Sequence, residues 1–80
     1  MNNIVIAFPK KEVANSIKKI LAQSGYTVTA VANTGASALS SMNGLNMGII
    51  ICGYRFSDMM YSEIYEYMPV SYTHLTLPTI

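Results

Sequence analysis

Few side chains in this 80-residue sequence could carry out chemistry. The acids, the cysteine and the histidine are Glu12, Cys52, Asp58, Glu63, Glu66 and His74. Transfer of a phosphoryl group to a carboxylate needs a nucleophilic Asp and a metal ion that neutralises the phosphoryl oxygens. Mg²⁺ is held by clustered carboxylate oxygens, yet these acids are spread over two predicted helices and a loop. The sequence therefore predicts no specific Mg²⁺ site and no phosphorylation by small-molecule phosphodonors.

Four positions allow both a chemical and a structural interpretation. Cys52 could be a nucleophile only beside a base, and we favour a buried, inert thiol. Asp58 could accept a phosphoryl group, but without a second carboxylate it is better explained as a turn residue. Arg55 could contact a partner, although an exposed loop residue is the simpler explanation. Gly35, followed by Ser37, lacks the rest of a phosphate-binding loop pattern and is not expected to bind phosphate.

Basic and aromatic residues could in principle contact nucleic acid. Four lysines lie on or just before the first predicted helix: Lys10, Lys11, Lys18 and Lys19. Four tyrosines lie around the third predicted helix: Tyr54, Tyr61, Tyr65 and Tyr67. Phosphate contacts by the lysines and base stacking by the tyrosines stay open, but a solvated helix face and ordinary packing are favoured. A net charge of +1 excludes a strongly basic nucleic-acid module.

The spacing of apolar residues predicts the elements that position these side chains. Short apolar runs predict buried strands, and three- or four-residue spacing predicts helices. Three strand–helix pairs result, over residues 4–8, 9–24, 26–31, 36–42, 48–52 and 59–68. Pro9 is suited to open the first helix, Gly25 to end it, and Thr34 to cap the second. This order predicts an α/β fold with a parallel sheet, helices on both faces and right-handed crossovers.

The last eleven residues differ in character from the rest. By composition they could form an edge strand in which Tyr72, His74 and Thr76 alternate with leucines. Residues 70–79 also back-translate, one allowed codon each, as GTC TCT TAT ACA CAT CTG ACG CTG CCG ACG. That string resembles the transposase adapter used to build sequencing libraries from fragmented DNA. We therefore interpret residues 70–80 as translated adapter joined to a gene fragment, and exclude His74 from functional reasoning.

Three motifs in residues 3–69 resemble the first half of a response-regulator receiver domain. Gly25-Tyr26 joins the first helix to the second strand, and residues 34–39 (TGASAL) are similar to the family's (D/N)G-x-x-A-L. Residues 49–59 (IIICGYRFSDM) resemble hhhhD-h-(R/K)-h-P-(D/G)-M, where h is apolar. The resemblance implies a three-layer, flavodoxin-like receiver fold, truncated after its third strand–helix unit, as a partial domain over residues 1–69. More narrowly, the stretch looks like the degenerate receivers of ANTAR-type regulators, in which a receiver precedes an RNA-binding antitermination domain.

The departures from the receiver pattern decide the expected activity. Gly53 stands where the family has its phosphoacceptor Asp, and Phe8 and Pro9 stand where it has two Mg²⁺-binding acids. Ser57 and Tyr61 replace a usual Pro and a usual Gly. The resemblance therefore implies a pseudo-receiver that works without phosphorylation, with no catalytic, cofactor-binding or metal-binding residue.

That pseudo-receiver is expected to be a cytoplasmic regulatory or dimerisation module rather than an enzyme. RNA would be bound only through a missing C-terminal domain, a homodimer is compatible with the fold, and no membrane or small-molecule partner is expected. The longest apolar run, residues 47–52, is far below the roughly 18 residues of a spanning helix. Two alternatives remain: a stand-alone interaction module, and a fragment of a nucleotide-binding α/β enzyme.

Truncation of the receiver domain after its third strand–helix unit is expected to affect the solubility of the chain. Receiver sheets run in the order 2-1-3-4-5, so the third strand, residues 48–52, becomes an open apolar edge unless the tail covers it by chance. Open β-branched edges promote aggregation. The sequence therefore predicts a poorly folded or aggregating product.

Overall fold

The computed structural model describes residues 3–43, 47–69 and 71–76, which form four strands and three helices. In chain order the elements are β1 (Asn3–Ala7), α1 (Lys11–Gln23), β2 (Ala30–Ala32), α2 (Gly35–Asn43), β3 (Gly48–Cys52), α3 (Tyr61–Tyr67) and β4 (Tyr72–Thr76). The predicted α/β class is confirmed. None of the described helices combines the length and apolarity needed to cross a bilayer.

All four strands are parallel and lie in the order β2-β1-β3-β4. β1 pairs along its whole length with β3, from Asn3 opposite Gly48 to Ala7 opposite Cys52. α1 packs on one face of the sheet, and α2 and α3 pack on the other. This arrangement is compatible with a flavodoxin-like fold truncated after three strand–helix units, with one additional strand at the β3 edge.

Strand alternation divides the core into two clusters. On the α1 face, Ile4, Ile6 and Phe8 pack with Ala14 of α1 and Ile51 of β3. On the opposite face the buried residues are Val5, Ala7, Ala32, Ala38, Met42, Ile50, Cys52, Phe56, Ile64 and Tyr72. Because successive strand side chains point to opposite faces, strands that are apolar throughout bury both faces, as the sequence predicts.

The second strand is shorter than predicted. It spans Ala30–Ala32 instead of residues 26–31. The backbone N–H of Thr29 still donates to the carbonyl of Ile4 (2.8 Å), but the N–H of Ile4 donates to the Thr29 hydroxyl (3.3 Å) rather than to a backbone carbonyl. A threonine side chain thus competes with the backbone as acceptor, and the regular ladder starts one residue later.

Both ends of α1 lie near their predicted positions. Pro9 precedes the helix instead of opening it, because Lys10 is extended (φ −102°, ψ 123°) and acts as the N-cap. Gly25 has φ +91°, a left-handed conformation that favours glycine just after a helix. The prediction of Gly25 as the residue that ends the helix is confirmed.

The third helix begins two residues later than predicted. A bridge between Arg55 and Met60 holds Met60 extended as the N-cap, so α3 begins at Tyr61. The apolar spacing in residues 59–68 predicts Met60 and Ile64 on the inner face of the helix. Ile64 is fully buried, as this spacing predicts, but 41% of Met60 is exposed and Met59 is half-buried instead.

The sheet does not end at β3. Residues 72–76 form β4 and pair in parallel with all of β3, from Gly48 opposite Tyr72 to Cys52 opposite Thr76. The open apolar edge expected at β3 is therefore wrong, and the alternative, coverage by the tail, is what the structure has. Val70 and residues 77–80 of that tail lie outside the described residues.

Candidate functional site

Parallel α/β sheets bind ligands at the carboxyl ends of their strands. In this chain that edge is formed by the residues that follow β1, β2 and β3, so all three predicted degenerate positions belong to it. Phe8 and Pro9 come directly after β1, and Gly53 comes directly after β3. Because β1 and β3 are neighbours in the sheet, these positions lie side by side.

The position after β1 is apolar and closed. Phe8 is 1% exposed and packs in the α1-side cluster, with its backbone N–H donating to the carbonyl of Ala32 (3.1 Å). Pro9 is exposed and has no side-chain hydrogen-bonding group. Neither residue offers an oxygen ligand to a hard cation such as Mg²⁺.

The position after β3 has no side chain to act as a nucleophile. Gly53 is buried, and its N–H donates to the carbonyl of Ala7 (2.9 Å), which extends the β1–β3 ladder by one residue. Its carbonyl accepts a hydrogen bond from the Cys52 thiol (3.1 Å). At this point of the sheet edge the structure thus has one backbone hydrogen bond and one thiol–carbonyl contact, and Gly53 provides no carboxylate.

Cys52 is the one thiol of the chain, and the structure makes it unreactive. It is fully buried, and burial raises its pKa to about 11, an effect partly offset by the neighbouring Tyr65 hydroxyl. The thiolate is the reactive form, so almost none of it is present near neutral pH. A buried, inert thiol is the interpretation that this geometry favours.

Asp58 has a structural partner that sequence reasoning missed. Its Oδ1 accepts the N–H of Gly35 (2.8 Å) and its Oδ2 accepts the N–H of Ala36 (2.9 Å), both in the first turn of α2. These two hydrogen bonds lower the pKa of the Asp58 carboxyl below its ordinary value. The loop between β3 and α3 is thereby tied to the start of α2 by a charge-assisted contact.

The start of α2 is consequently closed to anions. The Thr34 hydroxyl accepts the N–H of Ser37 (3.1 Å), which confirms Thr34 as a cap. The exposed N–H groups of a helix start can bind phosphate, but those of Gly35 and Ala36 are occupied by Asp58. A Cβ at Gly35 would overlap the Met59 side chain, so the glycine also lets the loop approach closely.

An aromatic row runs from the β3–α3 loop to β4 and consists of Tyr54, Tyr61, Tyr65 and His74. Ring centroids are 5.3 Å apart between Tyr54 and Tyr61, 5.6 Å between Tyr61 and Tyr65, and 3.9 Å between Tyr65 and the stacked His74. The Tyr65 hydroxyl also hydrogen-bonds Thr76. Each ring packs against a neighbouring ring of the same molecule, which agrees with the favoured interpretation of ordinary packing, and base stacking by these tyrosines stays the alternative.

The predicted lysines lie away from the aromatic row. All four are exposed on or next to α1, on the opposite face of the sheet from α3. Base stacking by the tyrosines and phosphate contacts by the lysines would therefore have to use different faces of the molecule. Arg55 is exposed in the β3–α3 loop, next to Tyr54.

The remaining acids are also dispersed. Glu63 accepts the N–H of Met60 (3.3 Å) at the start of α3, while Glu12 and Glu66 are exposed. Across residues 3–43, 47–69 and 71–76, no three His, Cys, Asp or Glu side chains are placed to hold a metal ion.

No protein-family model matches this sequence, and no curated protein or solved structure matches it either. Functional inference therefore depends on the geometry of the described residues.

Proposed function

We propose that residues 1–69 are the first half of a phosphorylation-independent, receiver-like regulatory module of a cytoplasmic signalling protein. The observation that carries this proposal is the identity of the residues at the carboxyl edge of the sheet. Buried Phe8, exposed Pro9 and side-chain-free Gly53 occupy the positions where phosphoryl transfer would need three carboxylates.

Chemistry supports a conformational role. An acyl phosphate needs a nucleophilic carboxylate beside a metal ion that neutralises the phosphoryl oxygens. Asp58 is the acid closest in sequence to the carboxyl end of β3, and both of its oxygens accept N–H groups of α2. A module of this kind acts by packing, by dimerisation or by presenting an output domain. By resemblance to ANTAR-type regulators, that output domain binds RNA and lies beyond residue 69 in the parent protein.

Phosphorylation and metal binding test the proposal directly. The chain is incubated with acetyl phosphate and Mg²⁺ and its intact mass is measured, with an active receiver domain treated in parallel as the positive control. We expect no added phosphoryl group and no Mg²⁺-dependent chemical-shift changes at Phe8, Gly53 or Asp58. An acid-stable, base-labile phosphoryl adduct that disappears in Asp58→Asn would refute the proposal and identify Asp58 as the acceptor.

The origin of residues 70–80 has a separate test. Tyr72 fits the core with one defect that supports an unselected sequence: its hydroxyl is buried and has no hydrogen-bond partner among the described residues. The source DNA is amplified across codon 69 with primers that lie outside the sequencing library and is then resequenced. We expect the reading frame to continue past Pro69 into further strand–helix units. A genomic sequence that encodes residues 70–80 would refute the adapter origin.

A further inference from the structure

We propose that the tyrosines of the aromatic row carry one-electron oxidation from the protein surface to the buried thiol of Cys52. The path begins at Tyr54, continues through Tyr61 and reaches the thiol at Tyr65. It does not depend on the function proposed above, and it gives a redox role to a cysteine that is closed to thiolate chemistry near neutral pH.

The tyrosine rings form a continuous path from solvent into the core. The ring centroids are 5.3 Å apart between Tyr54 and Tyr61 and 5.6 Å between Tyr61 and Tyr65, within the range of about 4.5–7 Å for interacting aromatic pairs. Tyr54 is 46% exposed, whereas Tyr61 and Tyr65 are half-buried. Because electron transfer slows steeply with distance, rings in contact pass an electron far faster than a single long step from the surface would.

The last tyrosine places its hydroxyl beside the thiol. Cys52 is opposite Thr76 in the β3–β4 register, so the two side chains lie next to each other on one face of the sheet. The Tyr65 hydroxyl hydrogen-bonds Thr76, and the Tyr65 ring packs on the core cluster that contains Cys52. The same closeness is why the Tyr65 hydroxyl partly offsets the effect of burial on the pKa of the thiol.

Each step of the path balances in electrons and protons. A one-electron oxidant in solution takes an electron from the Tyr54 phenol, which releases its proton to water and becomes a phenoxyl radical. Tyr61 and then Tyr65 reduce the preceding radical by one electron, and at each step the donor loses a proton to water while the acceptor regains one. The Tyr65 phenoxyl oxygen then takes the hydrogen atom of Cys52. The S–H bond breaks, an O–H bond forms, and a thiyl radical remains to which dissolved dioxygen adds.

This route uses the form of the cysteine that the structure favours. Burial raises the pKa of Cys52 to about 11, so the thiol keeps its hydrogen near neutral pH. Reagents that need the thiolate therefore react slowly, whereas hydrogen-atom transfer requires the S–H group. Because Cys52 is fully buried, an oxidant that stays in solution reaches it only through a neighbouring side chain.

Photochemical oxidation tests the path. Tris(bipyridine)ruthenium is illuminated in air-saturated buffer with a cobalt(III) ammine as electron acceptor, which generates a ruthenium(III) oxidant too large to enter the core. The remaining Cys52 thiol is then measured by alkylation of the unfolded chain and mass spectrometry, with an unilluminated sample as the reference. The unmodified chain should lose this thiol on illumination. Tyr65→Phe should retain it, and Tyr61→Phe should lose it more slowly than the unmodified chain.

Tyr67→Phe is the matched control, because it is the same chemical change at a tyrosine that is 70% exposed and lies outside the aromatic row. It should lose the Cys52 thiol as fast as the unmodified chain. Circular dichroism establishes that each variant is folded before illumination. Thiol loss at an unchanged rate in folded Tyr65→Phe or Tyr61→Phe would overturn the proposal, as would an unmodified chain that keeps its thiol while its tyrosines are oxidised.

The lifetime of the tyrosyl radical gives a second readout that leaves the aromatic row intact. After a laser flash in the absence of dioxygen, the visible absorption of the radical should decay faster in the unmodified chain than in Cys52→Ala, because Cys52 donates a hydrogen atom to it. Equal decay in the two proteins would also overturn the proposal.

Discussion

Replacement of Tyr72 by phenylalanine should stabilise this protein. Tyr72 is the first residue of β4, is 5% exposed and belongs to the core cluster on the α2–α3 face. Its hydroxyl is buried and accepts or donates no hydrogen bond among the described residues. The same burial raises the pKa of the phenol. Tyr72→Phe keeps the ring and removes the one atom of this side chain that gains nothing from being buried.

The magnitude follows from the cost of an unpaired hydroxyl. Leaving a buried polar group without a partner costs about 1–3 kcal/mol, and the ring contributes the same apolar area in both residues. Tyr72→Phe should therefore raise the free energy of unfolding by about 1–2 kcal/mol. For a domain of this size each kcal/mol corresponds to about 4–8 °C in Tm.

Tyr65→Phe is the matched control, because it is the same chemical change at a hydroxyl that has a partner. The Tyr65 hydroxyl hydrogen-bonds Thr76, so its removal should lower stability by about 0.5–1.5 kcal/mol. Both variants and the unmodified chain are compared by urea unfolding, followed by circular dichroism, at one protein concentration.

Opposite signs for the two substitutions are the expected outcome. A loss of stability in Tyr72→Phe comparable to that in Tyr65→Phe would mean that the Tyr72 hydroxyl is hydrogen-bonded in solution. The inference that β4 carries an unoptimised core residue would then be refuted.

Three further predictions test the backbone edge, the loop contact and the thiol. Gly48→Ala should destabilise the fold by about 1–3 kcal/mol in urea unfolding, because its Cβ would overlap the Asn3 carbonyl oxygen in the β1–β3 pair; an unchanged midpoint would contradict this close approach. Asp58→Asn should lower Tm at neutral pH, because the lowered carboxyl pKa means that the charged form stabilises the folded state. That difference should be complete above the ordinary pKa of 3.8 and should shrink as the pH falls below it; a difference that does not depend on pH would argue against the charged contact. Alkylation of Cys52 in the folded chain, followed by mass spectrometry, should accelerate up to about pH 11, and rapid labelling at pH 7 would show that the thiol is accessible.

The strands and helices could be predicted because local pattern and tertiary packing agree over most of the chain. β3 is apolar at Ile49, Ile50 and Ile51 and is buried from both sides of the sheet, so its bounds follow from composition alone. The observed starts of β2 and α3 differ from the predicted ones, because a single side-chain hydrogen bond or a single bridge decides where each element begins. The Thr29 hydroxyl delays the β2 ladder, and the bridge from Arg55 delays α3.

At the carboxyl edge, the missing carboxylates could be read from the sequence, but the role of Asp58 could not. Phe8 and Gly53 follow directly after apolar runs, so their position at the ends of strands is a local property. The contact between Asp58 and Gly35 joins residues 23 positions apart. A loop aspartate and a glycine at the start of a helix are each common, and only the folded topology brings them together. Gly35 is the one feature of the sequence that could indicate this contact, because a residue without a side chain lets the neighbouring Met59 approach the start of α2.

The fit of β4 to the sheet shows what an edge position demands of a sequence. Backbone hydrogen bonding to β3 requires only an extended segment without proline, and residues 72–76 meet that requirement. The period of two in Tyr72, His74 and Thr76 places every second side chain toward α3, where Tyr65 stacks on His74 and hydrogen-bonds Thr76. The side chains on the other face need only tolerate solvent, as Leu75 does at 51% exposure. Many unselected sequences, an adapter-derived segment included, can therefore pair with β3 and alternate their side chains. The requirement that every buried polar atom has a hydrogen-bond partner is stricter. Among the described residues the Tyr72 hydroxyl has no hydrogen-bond partner, so this stricter condition fails there. Removal of that hydroxyl is therefore the substitution best able to separate a strand selected for this core from one that occupies it by chance.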